Sequence, residues 1–264
     1  MDDLLRLLPP IRRARGNRLY AADGRRFLDL WLDDGRGILG DGDRRARTFA
    51  ANAADKGLTR PYPGLYDARF AKAVRENWPG FTAVRLFSSE ERALAAVSRM
   101  LGEAEAGSAA IAGSCVSVAR PFAPLADDVE VAIPRLPGPR PFSPWCVMAR
   151  SEKLFAGVAG DLVPAQSLVA AARGLASVQT AIREGYGEPL WARFDRRLGA
   201  FFDRCGPYLS PKPYPGGLEA FFRAALEGGA LVSPRPDAPS VIPPDFDDGE
   251  LARLAKALAK GAGS

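Results

Sequence analysis

Val84-Arg85-Leu86-Phe87-Ser88-Ser89-Glu90-Glu91-Arg92-Ala93 is a strand that runs straight into a helix. Thr82 to Phe87 alternates apolar with polar residues, the period of a strand. From Ser88 the period lengthens, and a helix is predicted to about Glu105. Ser88 with Glu91 three residues on has the spacing of a capping box, worth about 1 kcal/mol. The two acids suit the positive end of a helix dipole. Outward from this stretch, short apolar runs keep alternating with longer helical ones, the rhythm of an α/β protein.

Upstream, Leu19-Tyr20-Ala21 and Phe27-Leu28-Asp29-Leu30 flank the turn residues Asp23-Gly24, which predicts a hairpin. Helices are expected over Asp43 to Lys56, stopped by Gly57, and over Tyr66 to Trp78, stopped by Pro79-Gly80. Downstream, Ser108 to Ala112, Val129 to Ile133 and Trp145 to Ala149 are candidate strands. The proline-rich stretch Pro124 to Pro144 is predicted to be mostly loop around one strand. Long helical patterns follow at Ala165 to Glu184 and Pro189 to Arg204. Pro207 to Pro215 reads as a link, Leu218 to Leu226 as a helix, Leu231 to Ser233 as a short strand and Gly249 to Lys260 as the last helix.

The chain has no histidine. That removes Ser-His-Asp and Cys-His mechanisms and most transition-metal sites, so no metal is expected. Asp127-Asp128 and Glu90-Glu91 are adjacent acids best read as solvated. The net charge of +5 is carried almost wholly by arginine. Its densest run, Arg12-Arg13-Ala14-Arg15, has no interleaved aromatics for base stacking, so a solvated face is expected and nucleic acid is not. No apolar run approaches the ~20 residues of a membrane span. Three widely spaced cysteines, Cys115, Cys146 and Cys205, with an acidic start at Met1-Asp2-Asp3, fit a reducing cytoplasm.

Three stretches resemble class-III aminotransferases, above all those similar to glutamate-1-semialdehyde aminomutase. Arg15 to Asp29 is similar to the family's opening "G-x-x-L-x-D-x-D-G-x-x-Y-L-D" hairpin. Val84 to Ala93 stands where the family has "V-R-F-V-N-S-G-T-E-A". Phe222 to Pro234 resembles its closing "F-R-x-L-L-x-x-G-V-x-x-x-P". Gly160 to Ala176 is more weakly similar to the segment after the family's catalytic lysine. The pieces occur in family order. The resemblance implies a reduced fold-type-I architecture of pyridoxal-phosphate-dependent transferases. Residues 1–45 and 189–264 would form a small domain from both termini, and 46–188 a large α/β/α domain.

The same resemblance implies a cofactor, pyridoxal 5′-phosphate, whose machinery is missing. The Schiff-base position falls at about Pro134-Arg135-Leu136, and no lysine lies between Lys72 and Lys153. A guanidinium cannot take the role, because it does not deprotonate to a useful nucleophile. Lys153 aligns beyond the site, and an unrecognised lysine there is what an active enzyme would need. The phosphate cup survives only as the vestigial positions Ser88, Ser89, Glu90 and Glu91, with carboxylates where phosphate would sit. Asp161 follows Gly160 where the family's phosphate-binding threonine would stand, and no threonine lies between Thr82 and Thr180. Sequence is also short between Cys115 and Asp128, where the family places its "Y-H-G" segment and the strand ending in the cofactor aspartate, and to a smaller extent between Cys205 and Gly216, where the small domain's sheet should be. The expectation is a chain without cofactor or catalytic residues: a binding or partner protein, dimeric with itself or with a full-length aminotransferase. Its interface would use Ile38 to Arg47 and Gly160 to Gln166. Aromatics at 191, 194, 201, 202, 221 and 222 are expected to be mostly core.

Overall fold

The hairpin around Asp23-Gly24 forms because Gly24 takes φ +89, a left-handed conformation that costs glycine nothing. The structure is a computed structural model, and it describes residues 3–39, 44–102, 116–138, 140 and 143–263. Strand β2 (Arg18–Ala21) pairs antiparallel with β3 (Arg26–Asp29), as the sequence predicts. A strand that the sequence pattern conceals, β1 (Ile11–Arg15), adds to the open side of β2. It carries the basic run and is exposed along its whole length, with the Arg13 guanidinium 4.5 Å from the Tyr20 ring centroid. Without a buried face it has no alternation to read. Its arginines protect a sheet edge from pairing with another chain.

The chain divides into two compact units, residues 43–180 and residues 1–42 with 181–264. In the first, α1 (Arg44–Asp55) and α2 (Leu65–Asn77) lead into β4 (Ala83–Phe87) and α3 (Glu90–Leu101). Then come β5 (Val116–Ala119), β6 (Val131–Pro134), β7 (Trp145–Ala149) and α4 (Ala165–Arg183), whose last turn crosses the boundary. The sheet order is β4-β7-β6-β5, antiparallel except for the β5–β6 pair. Alternation sends Leu86, Ala132, Cys146 and Met148 to one face, where Phe70 and Val74 of α2, Trp78 at its C-cap, and Leu168 and Leu175 of α4 cover them. Ala83, Phe87, Val131, Ile133 and Val147 face the other way, onto Ala93, Ala96 and Val97 of α3. This is an α/β/α sandwich whose strands are apolar on both faces. Helix α3 stops at Leu101 rather than near Glu105, because Gly102 caps it at φ +70. The expected strand Ser108 to Ala112 lies outside the described residues.

The second unit is completed by the C-terminal part. Helix α5 (Glu188–Leu198) is followed by β8 (Phe202–Cys205), β9 (Tyr208–Pro211), α6 (Gly217–Glu227), β10 (Ala230–Leu231), β11 (Ser240–Val241) and α7 (Asp248–Ala262). β10 joins β3 in parallel, so one sheet draws on both ends of the chain. Two expectations are corrected. The helix predicted over Pro189 to Arg204 ends at Leu198, and its last residues are strand. Phe202 turns inward, its ring centroid 5.3 Å from that of Phe221, edge to face, and 6.2 Å from that of Phe194. This packing overrides the helical spacing. The segment read as a link holds β9, so the small-domain sheet expected to be missing there is present, ordered β11-β9-β8. Gly206 at φ +58 makes the hairpin turn. Trp191, Phe194, Phe202, Phe221 and Phe222 are all buried core. Among the described residues, no helix is long and apolar enough to cross a membrane.

One buried charge ties this unit together. Glu250 is 5% exposed and accepts from Arg18 Nε and Nη2, both at 2.8 Å. It also closes a capping box on α7, accepting from the Asp247 N–H at 3.1 Å while its own N–H donates to Asp247 Oδ1 at 2.7 Å. Arg18 also donates from Nη1 to Asp245 Oδ2 at 2.6 Å, so removing Glu250 leaves the half-buried guanidinium with one carboxylate and opens the α7 cap. Glu250→Ala is expected to cost about 2–3 kcal/mol in urea denaturation, the size of lost hydrogen bonds to a charged group. A loss below about 1 kcal/mol, the size of an exposed ion pair, would show the bridge to be peripheral.

Candidate functional site at the start of helix α3

β4 delivers its last buried residues, Leu86 and Phe87, into a turn that presents Ser88 and Ser89 at the first turn of α3. The N-cap is Ser89, not Ser88: its backbone is extended at φ −148, and its hydroxyl accepts from the Arg92 N–H at 3.3 Å. The capping box expected between Ser88 and Glu91 is therefore replaced by a simple cap one residue later. Glu90 and Glu91 lie exposed in the first turn, where they complement the helix dipole.

Ser88 is turned to another task. Its N–H and its hydroxyl both donate to Asp161 Oδ2, at 2.9 and 2.8 Å. The Arg92 guanidinium completes the grip as a fork, with Nε on Oδ2 and Nη2 on Oδ1, both at 2.5 Å. Asp161 is held there by its own backbone, since its N–H donates to the Leu86 carbonyl at 2.8 Å. A Cβ at Gly160 would lie 3.1 Å from the Leu86 oxygen and 3.4 Å from its nitrogen, so glycine is what lets the chain approach the open edge of β4 so closely. The helix start thus binds an anion, and that anion is a side chain of the same chain. The fork from Arg92, with the two bonds from Ser88, holds the Asp161 carboxyl well below the usual carboxylate range against the opposing effect of burial.

Beside this contact lies a cavity of 340 Å³, lined by Asp67, Phe70, Arg85, Leu86, Gly160 and Asp161 among others. Arg85 is ion-paired with Glu152 and stacked 4.9 Å from the Phe155 ring centroid. The segment aligned with a Schiff-base lysine, Pro134 to Leu136, leaves β6 with the Arg135 N–H donating to the Ala119 carbonyl at 2.8 Å. Leu136 is buried, and a Cβ at Gly174 of α4 would collide with the Pro137 carbonyl, so helix and segment are packed backbone to backbone. Lys153 stands exposed in the 3-10 turn Glu152–Phe155 after β7. Asp127 and Asp128 are exposed, and the described residues hold no group of three potential metal ligands. The Cys146 thiol is buried, which pushes its pKa far up.

All four vestigial positions, Ser88 to Glu91, come together at one helix start. Sequence reasoning singles out Asp161 as a missing threonine but not as the ligand of Ser88. Arg92 goes unnoticed, because the contact spans 69 residues and no local pattern announces it.

Solved structures share this arrangement of sheets and helices. An omega-transaminase from Sphaerobacter thermophilus superposes with a TM-score of 0.69 at 11% identity, over 97% of this chain and 91% of that one. This chain has the aminotransferase fold. No protein-family model matches its sequence. Over 90 residues, 34% of its length, it is 33% identical to a glutamate-1-semialdehyde 2,1-aminomutase from Sorangium cellulosum, of which this covers 21%. Over 91% of its length it is 29% identical to an uncharacterized protein of Treponema pallidum, again across 91% of that protein. An aminotransferase-fold chain of this reduced size is therefore matched nearly end to end by a relative.

The sign of the pH dependence follows from the lowered pKa of Asp161. Its contribution is complete above the ordinary aspartate value of about 4 and is lost as pH falls toward the folded-state value. Asp161→Asn should lower neutral-pH stability by about 1–2 kcal/mol and flatten this part of the acid limb. Equal stability of the two proteins across pH 2 to 7 would show that the carboxylate contributes nothing.

Proposed function

We propose that this aminotransferase-fold chain is a binding or partner protein of the cytoplasm, without bound pyridoxal phosphate and without transaminase activity. The observation that carries this reading is the Asp161 carboxylate seated on the Ser88 N–H and hydroxyl and forked by Arg92. A helix start can stabilise an anion through its free amides and dipole, and here the Ser88 N–H and hydroxyl and the Arg92 guanidinium beside it are already taken by Asp161. A phosphate brought to the same place would meet Asp161 with Glu90 and Glu91 nearby. Like charges ~5 Å apart repel by about 3 kcal/mol at an effective dielectric of ~20. The residues at this position therefore do not fit the phosphate of the cofactor. The residues after β6 do not fit its aldehyde either, because Pro134, Arg135 and Leu136 offer no amine that deprotonates near neutral pH.

The partner in this reading is a second copy or a full-length aminotransferase. Supporting it are large apolar side chains left exposed in the first unit: Leu65 at 76%, Tyr62 at 51% and Leu162 at 50%. Leu162 lies within the Gly160 to Gln166 segment expected at an interface. Contiguous apolar exposure marks contact surfaces, and Tyr62 and Leu65 stand three residues apart.

Incubation with pyridoxal phosphate, borohydride reduction and peptide mapping tests the chemical half. No single one of the six lysines should be labelled stoichiometrically, whereas full labelling of Lys153 or any other would establish an internal Schiff base and end the proposal. For assembly, light scattering should give a dimer that Leu162→Glu shifts toward monomer. A monomer at tens of micromolar, with no aminotransferase co-purifying from the native host, would remove the partner role.

A further inference from the structure

Away from α3, three helix faces of the first unit form a groove of 390 Å³ with a marked charge bias. Phe49, Asn52, Ala53 and Lys56 line it from α1 and the residue that follows it. Their spacing of three, four and seven residues puts them on one helical face. Tyr66 and Arg69 come from α2, and Leu168, Val169, Ala172, Arg173 and Ala176 from α4. The volume is that of a small-molecule site, and the wall is built on helices rather than loops.

Among the described residues the lining includes three cations, Lys56, Arg69 and Arg173, and no carboxylate. None of the three has an ion-pair partner among the described residues. Other arginines of this unit are committed, Arg85 to Glu152, Arg92 to Asp161 and Arg150 to the Val129 carbonyl at 2.7 Å. The two guanidiniums in the groove are instead laid against aromatic rings, Arg173 at 4.2 Å from the Phe49 centroid and Arg69 at 5.4 Å from that of Tyr66. Stacking fixes a guanidinium's plane and leaves its edge N–H groups free to donate. Phe49 is 41% exposed, so the covering arginine does not seal it from a ligand.

We propose that this groove binds a small molecule carrying a dianionic phosphate. Three positive charges lining one groove, with no acid among its described lining residues, are over-provided for one carboxylate and suit a phosphate monoester, which arginine forks recognise through paired N–H donors. Ala53, Leu168, Val169 and Ala172, with the exposed edges of Phe49 and Tyr66, form an apolar bed for the ligand's carbon body, and Asn52 supplies an amide for a further polar group. The groove shares no residue with Ser88 to Arg92 or with Asp161, so the inference stands apart from the reading of that site.

Calorimetric titration of the full chain with adenosine 5′-monophosphate, inorganic pyrophosphate and uncharged adenosine tests it. Both phosphates should bind and adenosine should not. Arg173→Gln and Arg69→Gln should each weaken binding about ten-fold or more, the effect of losing a charge-assisted bond. Ala176→Glu, at an exposed helical position, puts a carboxylate into the groove and should abolish binding while helicity by circular dichroism is unchanged. Arg12→Gln with Arg13→Gln, on the exposed edge strand, should change nothing. Absence of binding by both phosphates, or binding that survives Arg173→Gln and Ala176→Glu, would overturn the proposal. Binding of single-stranded RNA in preference to either phosphate, lost in the Arg12/Arg13 variant, would also refute it.

Discussion

The contact between Asp161 and the turn into α3 is the constraint that fixes the donors of Ser88 and Arg92. It satisfies several needs at once. The Ser88 donors and the Arg92 guanidinium find a partner, the open edge of β4 gains cover through the Asp161 N–H, and the segment leading to α4 is fixed in place. Each bond is modest alone, but all share one carboxylate, so they form or fail together. The Ser88 donors and the Arg92 fork, which could have met an external anion, hold an internal one. The fold supplies the position and the sequence supplies the charge.

The other unit shows how a reduced chain keeps a complete core. Its two sheets are small, yet β10 brings the C-terminal part onto β3, and Arg18 reaches Glu250 across 232 residues of sequence. Edge-to-face rings run through the centre, from Tyr214 to Phe221 to Phe202, and Phe194 meets Phe202 and Phe246. Such pairs add a directional component to burial. Tyr186, buried nearby in sequence to α5, donates its hydroxyl to the Ile242 carbonyl at 2.5 Å. The second sheet, β11-β9-β8, is two short hairpin strands and a two-residue strand, enough to carry this aromatic layer.

Much of the fold is legible in the sequence where burial imposes a period. The β4-to-α3 turn, the helices over α1, α2, α4, α6 and α7, and the strands around Val131 and Trp145 all announce themselves by alternation or amphipathic spacing. Legibility fails where one face is not buried or where a distant partner decides. β1 is exposed throughout and has no pattern. Phe202 lies at helical spacing from Phe194, but the core draws it into a strand. The Ser89 cap and the Ser88 pairing differ from the expected box by one residue, because Asp161 competes for the Ser88 donors. The site was visible as a set of positions and a reversal of charge. Its closure was not, since Arg92 and Asp161 meet only through the fold.

The central claim is that the donors at the start of α3 are held by Asp161 and are closed to phosphate. Amide correlation spectra recorded while pyridoxal phosphate is added report on those donors directly. The Ser88 and Ser89 amide signals should stay in place throughout the titration, with no visible absorbance characteristic of a bound imine. Saturable displacement of the Ser88 amide on addition of pyridoxal phosphate, with Asp161 intact, would contradict the account.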